Sequence, residues 1–158
     1  MEIRFFHPQE IKGFLSNYFE YTFSLDHREW RTVEHYYQAQ KFAGTVEEEK
    51  VQRCKTPGGA KRYAHARKHL WRTDWDDLKV DVMRKAVQAK FSQSGFLARE
   101  LLATGQATLI EDSPSDLFWG IGMNGTGKNM LGTILMETRA ILSQENQDLA
   151  EPTSPPDM

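Results

Sequence analysis

A single cysteine, Cys54, stands among 158 residues, which excludes an intrachain disulfide and a metal site built from cysteines. No window approaches about 18 consecutive apolar residues, the length that would suggest a membrane-spanning helix. The first residues, M-E-I-R-F-F-H, lack the pattern of a secretory signal. An intracellular protein, cytoplasmic or nuclear, with no membrane partner is the expectation. Excess charge is also missing: 20 Lys and Arg against 22 Asp and Glu leave a net charge of −2, too little for a protein that coats nucleic acid through bulk electrostatics. No repeat at a solenoid period is present, and the length fits one domain with a sizeable core.

One absence is local. Between Glu49 and Asp74 there is no acid, whereas Lys50, Arg53, Lys55, Lys61, Arg62, Arg67, Lys68 and Arg72 all fall there, with His65 and His69 interleaved. Such a segment either contacts phosphates or forms a solvated helical face.

The stretch Thr32 to Phe42, T-V-E-H-Y-Y-Q-A-Q-K-F, carries unusual polar chemistry for its length. Thr32 is a natural N-cap, and no Gly or Pro follows until Gly44, so a helix over residues 33–43 is predicted. Helical geometry places Glu34, Gln38 and Lys41 on one stripe with Tyr37 beside it. Glu34 and Lys41 would then lie roughly 10 Å apart along the axis, too far for a direct ion pair and suited to bracketing a sugar. Plainer readings stand beside this one: Glu34 as a first-turn acid favoured by the helix dipole, Lys41 as a solvated lysine, Tyr36 and Tyr37 as core aromatics, His35 as a hydrogen-bonded structural histidine.

Along the rest of the chain, residues 2–6 and 21–25 are predicted strands, with Asp26 to Glu29 as a turn. Helices are predicted over residues 46–54, over 60–70 after a Pro57-Gly58-Gly59 break, and over 74–91 capped by Thr73 with a stripe of Trp75, Leu78, Val82, Lys85/Ala86 and Ala89. Further helices over 95–104 and 130–143 flank a short strand at 107–110. Residues 146–158 have three prolines and no aromatics, the composition of a disordered tail, which leaves 1–145 as the folded domain.

Residues Gly120 to Asn129, G-I-G-M-N-G-T-G-K-N, meet the spacing of a nucleoside-triphosphate loop and of a dinucleotide-binding turn. Asn129 replaces the hydroxyl that would bind magnesium, and too little chain follows for either fold. What remains is a glycine-rich loop entering a helix, either a structural turn or a set of backbone N–H groups suited to an oxyanion.

Seven ordered blocks then carry a resemblance: F-L-S-N-Y at 14–18, T-V-E-H-Y-Y-Q-A-Q-K-F at 32–42, D-W at 74–75, V-M-R-K-A-V-Q-A-K-F at 82–91, L-L-A-T-G at 101–105, D-L-F-W-G at 116–120 and G-K-N-M-L-G-T-I-L-M at 127–136. Over about residues 3–143 the chain resembles the NADAR (NAD- and ADP-ribose-associated) family, which includes N-glycosidases acting on riboflavin biosynthesis intermediates. The resemblance implies a mostly helical α+β single domain with a few short strands. It also implies hydrolysis of an N-glycosidic bond between a ribose and an exocyclic amine, on either a ribosylaminopyrimidine phosphate or ADP-ribosylated guanine in nucleotide or nucleic acid. By motif position it places functional residues on Glu34, Trp75, Asp116 and Trp119. One departure is the D-H-R-E turn at 26–29, where the family has a glycine.

The chemistry of that bond gives the residues roles. Cleavage leaves positive charge at the anomeric carbon, which a carboxylate stabilises or relieves by activating water, while an acid assists the departing nitrogen; Glu34 and Asp116 are the candidates for this paired work. Such an aminal also ring-opens to an imine, and Lys41 is then a candidate Schiff-base nucleophile. Ser16, Asn17, Tyr37, Gln38, Trp75, Trp119, Gly120, Gly127, Lys128 and Asn129 are the candidate substrate-binding residues. No metal or other cofactor is called for. The basic segment tips the expectation towards removal of ADP-ribose from guanine, with the riboflavin intermediates as alternative and a non-catalytic ADP-ribose or NAD sensor as a third reading.

Overall fold

A computed structural model describes residues 1–150. Six α-helices and four short strands make up this part of the chain: β1 (Glu2–Phe5), β2 (Phe23–Leu25), β3 (Arg28–Trp30), α1 (Val33–Gln40), α2 (Val46–Gln52), α3 (Pro57–His65), α4 (Trp75–Ser92), α5 (Gly95–Leu102), β4 (Thr108–Glu111) and α6 (Met130–Ala150). The fold is α+β and mostly helical, as the sequence led us to expect. None of these helices is long and apolar enough to cross a membrane.

Hydroxyl caps set the helix starts. Thr32 accepts from His35 N at 3.1 Å, Thr56 from Gly59 N at 2.9 Å and Ser94 from Leu97 N at 3.1 Å, each a contribution of about 1 kcal/mol. At α3 the cap corrects the sequence reading: Pro57 is not a break but the first helical residue, where a missing N–H costs nothing. That helix ends at His65, and residues 68–70 form a separate 3-10 turn. At α4 the cap position is Asp74 rather than Thr73. The buried face of α4 is Trp75, Met83, Ala86, Val87, Ala89, Lys90 and Phe91; of the expected stripe Leu78 and Val82 are half-buried at its edge and Lys85 is exposed.

Helix α1 is buried along its whole length. It has no amphipathic face because α2, α3 and α4 pack around it, so its polar groups find partners inside. His35 Nε2 lies 2.9 Å from the Cys54 carbonyl, which only accepts; the proton therefore sits on Nε2, and Nδ1 accepts from the Thr32 hydroxyl at 2.8 Å. His35 is a neutral structural histidine.

The strands form two pairs. β2 and β3 make an antiparallel hairpin, so Arg28 and Glu29 belong to a strand and not to the predicted turn. Asp26 and His27 take φ of 53° and 63° without a glycine. Asp26 is held there by Tyr36 Oη at 2.7 Å and Lys85 Nζ at 2.6 Å. β1 and β4 pair in parallel, Glu2 opposite Thr108 and Phe5 opposite Glu111, so the intervening helices form the crossover. Both strands then end on the same side of the molecule. Helix α6 crosses β4 so closely that a Cβ on Gly132 would lie 2.1 Å from the Leu109 carbonyl oxygen. It continues to Ala150, past the expected end at 143, and so takes in residues 146–150 of the expected tail; residues 151–158 lie outside the described residues.

Candidate active site

The ends of β1 and β4 open onto a cavity of about 800 Å³. Its walls come from α1, α3, the start of α4, the loop at Ser16–Tyr18 and the loop at Ser113–Trp119. Nine of the thirteen candidate residues meet there: Ser16, Asn17, Glu34, Tyr37, Gln38, Lys41, Trp75, Asp116 and Trp119.

Glu34 is buried, and its Oε1 accepts from Gln38 Nε2 at 2.7 Å. Burial raises its carboxyl pKa, while Gln38 and the charges of Lys61 and Lys41 act against that rise. Lys41 closes α1 as its C-cap rather than continuing the helix. Its ammonium lies 3.8 Å from the ring centre of Trp71, with Tyr37 and Trp75 at 5.3 and 5.7 Å. Burial lowers its pKa to about 8, opposed by Glu34, so a minor neutral fraction exists at neutral pH and grows as pH rises towards 8. Glu34 and Lys41 are not within ion-pair distance among the described residues, leaving room between them for a ligand.

Aromatic rings line the cavity as well. Tyr37 packs edge-on to Trp119 at 5.4 Å and tilted against Trp75 at 5.1 Å, and Trp119 Nε1 donates to Tyr37 Oη at 3.2 Å. Asp116 fixes this wall from behind: its Oδ1 accepts from the backbone of Phe118 at 2.9 Å and of Trp119 at 2.7 Å. The loop carrying Ser16 and Asn17 is tied to α1 by Glu34 N donating to the Asn17 carbonyl at 3.1 Å.

The glycine-rich loop behaves differently from the oxyanion reading. Gly120, Gly127, Lys128 and Asn129 do not line the cavity. The N–H groups of Gly127, Lys128 and Asn129 already bond to the carbonyls of Ile121, Leu117 and Gly120, so these three are not free to hold an oxyanion. A Cβ on Gly120 would lie 2.9 Å from the Glu111 carbonyl oxygen, a close approach that only glycine permits. Asn129 clamps β4 instead: Oδ1 accepts from Glu111 N and Nδ2 donates to the Leu109 carbonyl, both at 2.9 Å. Lys128 is exposed.

Three residues escaped the sequence reading. Trp71 stacks on Lys41. Glu111 ends β4 at the cavity, and burial with the nearby charges of Asp116 and Glu34 pushes its pKa up to about 8. Lys90 is almost wholly buried and donates to the carbonyls of Phe14 at 2.6 Å and Ser16 at 3.1 Å, holding the loop that carries Ser16 and Asn17. Among the described residues no group of three or more His, Cys, Asp and Glu is arranged to hold a metal ion.

Comparison with known proteins agrees with the resemblance. The model of the NADAR domain matches residues 4–143. The chain belongs to the NADAR family. It is 41% identical over 143 residues to N-glycosidase YbiA of Escherichia coli (strain K12), covering 90% of this chain and 89% of that one. It is 43% identical over 142 residues to a riboflavin biosynthesis protein of Vibrio vulnificus (strain YJ016), where the match spans 90% of this chain but 39% of that protein. The NMR structure of E. coli YbiA superposes with a TM-score of 0.86 at 38% identity, covering 97% of this chain and 92% of that one. The NADAR fold described here is therefore shared with a solved structure.

Proposed function

We propose that this protein is a hydrolase that cleaves the N-glycosidic bond between a ribose and an exocyclic amine, with a ribosylaminopyrimidine phosphate as substrate. The observation that carries this reading is the cavity itself, which brings together a buried carboxylate, Glu34, a buried amine, Lys41, and a set of aromatic rings. A flat heterocycle stacks on Trp119 and Trp75, and its ribose lies between Glu34 and Lys41. Negative charge from Glu34 and Asp116 stabilises the cation that develops at the anomeric carbon. Glu34, made more basic by burial, takes the proton of the attacking water. In the alternative route the neutral amine of Lys41 attacks the ring-opened sugar and is later released by water.

The relatives named N-glycosidase and riboflavin biosynthesis protein support the choice of substrate. So does the fate of the basic segment. Lys50 and Arg67 pair with Glu47, Arg53 with Glu49 and Arg72 with Asp74, which removes half of its eight cations from service to a nucleic-acid backbone. Only Lys61 and Lys68 of the eight reach the cavity. A second reading, release of ADP-ribose from guanine, is favoured by those two lysines together with Lys79 on the cavity wall, enough cationic surface for a diphosphate. Incubation with each substrate separately tests the choice. Release of ribose 5-phosphate and free aminopyrimidine is expected; faster release of ADP-ribose from an oligonucleotide carrying it on guanine, with the guanine left in the strand, would favour the second reading. Tight ADP-ribose binding without any turnover would point to a sensor.

A further inference from the structure

Two buried side-chain polar atoms lack a hydrogen-bond partner among the described residues, Gln38 Oε1 and Glu111 Oε2, and both residues line the same cavity. An unpartnered buried polar atom is destabilising, so a pair of them around one cavity points to a ligand that completes them. The two are chemically complementary. Gln38 Oε1 can only accept. Glu111, when protonated, can donate.

Glu111 is placed with unusual care for a residue at a strand end. Its N–H donates to Asn129 Oδ1 at 2.9 Å, and its carbonyl accepts from Ile121 N at 3.1 Å. Its neighbour Asp112 turns away to Arg4 at 3.3 Å. The groups that face it are Tyr18 from the first loop, Glu34 from α1, Lys61 from α3 and Asp116 from the 113–119 loop. Two of these are carboxylates, and only Lys61 opposes them, so a proton is retained on Glu111 up to about pH 8. Asp116 has one oxygen committed to the backbone of Phe118 and Trp119, and Glu34 is the buried base. A separate acid for the leaving group is the one element of the reaction without an owner.

We propose that Glu111 donates the proton to the departing exocyclic nitrogen, while Gln38 Oε1 accepts a hydrogen bond from the substrate. This rests on the N-glycosidase reading above. As the bond from the anomeric carbon to nitrogen breaks, its electron pair stays on nitrogen and takes the Glu111 proton, giving the free amine and a Glu111 carboxylate. Water adds to the anomeric carbon and loses its proton to Glu34. Proton exchange with solvent returns both carboxyls to their starting states, so the balance is substrate plus water to sugar plus amine.

The test compares the wild-type enzyme with Glu111→Gln on a ribosylaminopyrimidine 5′-phosphate between pH 5.5 and 9.5. The variant should lose at least about 100-fold in kcat with KM little changed. It should also lack the alkaline fall that ionisation of Glu111 imposes on the wild type. Near-normal kcat, a loss confined to KM, or an unchanged alkaline fall would overturn the proposal. If Glu111→Gln does not fold, Glu111→Asp and Glu111→Asn decide, because they share a shape and differ in the proton. At equal melting temperature the Asp variant should be at least about tenfold faster, and equal rates would overturn the assignment. Lack of turnover of this substrate by the wild type would instead overturn the choice of substrate made above.

Discussion

Replacing Glu34 by Gln separates charge from shape at the centre of the site. The amide keeps an oxygen where Glu34 Oε1 now accepts from Gln38 Nε2 at 2.7 Å, so the local packing of α1 survives. What disappears is the base. A lost general base costs about 100-fold or more in kcat, or about 2.7 kcal/mol of transition-state stabilisation. Stability should move the other way. The pKa of Glu34 is raised in the folded state by burial, so the folded protein binds a proton that the unfolded chain has released, and the stability that Glu34 contributes falls as pH rises above the ordinary carboxylate range. Gln carries no such penalty, and the melting temperature of the variant relative to wild type should therefore rise from pH 4 to pH 7. Part of this gain is offset at Lys41, whose pKa of about 8 is supported by the Glu34 charge and should fall in the variant. Steady-state release of free amine and thermal melts across that range measure both effects. A folded variant within about fivefold of wild-type kcat would remove Glu34 from the chemistry.

The other predictions concern residues around Glu34. Lys41→Arg preserves positive charge but cannot form an imine; if the ring-opened route operates, the variant should be inactive and borohydride added during wild-type turnover should leave an adduct on the Lys41 peptide, whereas an active variant and an unmodified peptide would sink that route. Trp119→Ala removes the ring that donates to Tyr37 at 3.2 Å and should weaken ligand binding by about 1–3 kcal/mol in calorimetry; unchanged affinity with a lower melting temperature would make it only a core residue. Lys90→Met leaves the Phe14 and Ser16 carbonyls without their donor and should act mainly through KM by loosening the Ser16–Asn17 loop, while a loss in kcat alone would contradict a positioning role.

The parts of this site carried by one helix were readable, because Thr32 marks where α1 begins and helical spacing then groups Glu34, Tyr37, Gln38 and Lys41. The helix end was not. Phe42 and Ala43 bond back three residues to Ala39 and Gln40, a tightened final turn that side-chain pattern does not reveal. Pro57 reads as a break only if the Thr56 cap before it is overlooked. Glu111 is brought to Glu34 by the parallel pairing of β1 with β4, a long-range contact that no local period records. A short apolar strand ending in an acid was its one signal. Lys90 looks like a surface lysine in a helix, and only packing against Phe14, Phe19 and Phe91 shows otherwise. At the glycine-rich loop both readings stayed open, because spacing shows where N–H groups are, not that carbonyls already hold those of Gly127, Lys128 and Asn129.

The most direct test of the account is to run the wild-type protein on a ribosylaminopyrimidine 5′-phosphate in ¹⁸O-labelled water and analyse the sugar by mass spectrometry as it forms. Stoichiometric free aminopyrimidine, with label on the anomeric oxygen of ribose 5-phosphate above the level of solvent exchange in unlabelled controls, is predicted for an N-glycosidase. Substrate that binds and is recovered intact, or amine release without ribose 5-phosphate, would contradict it.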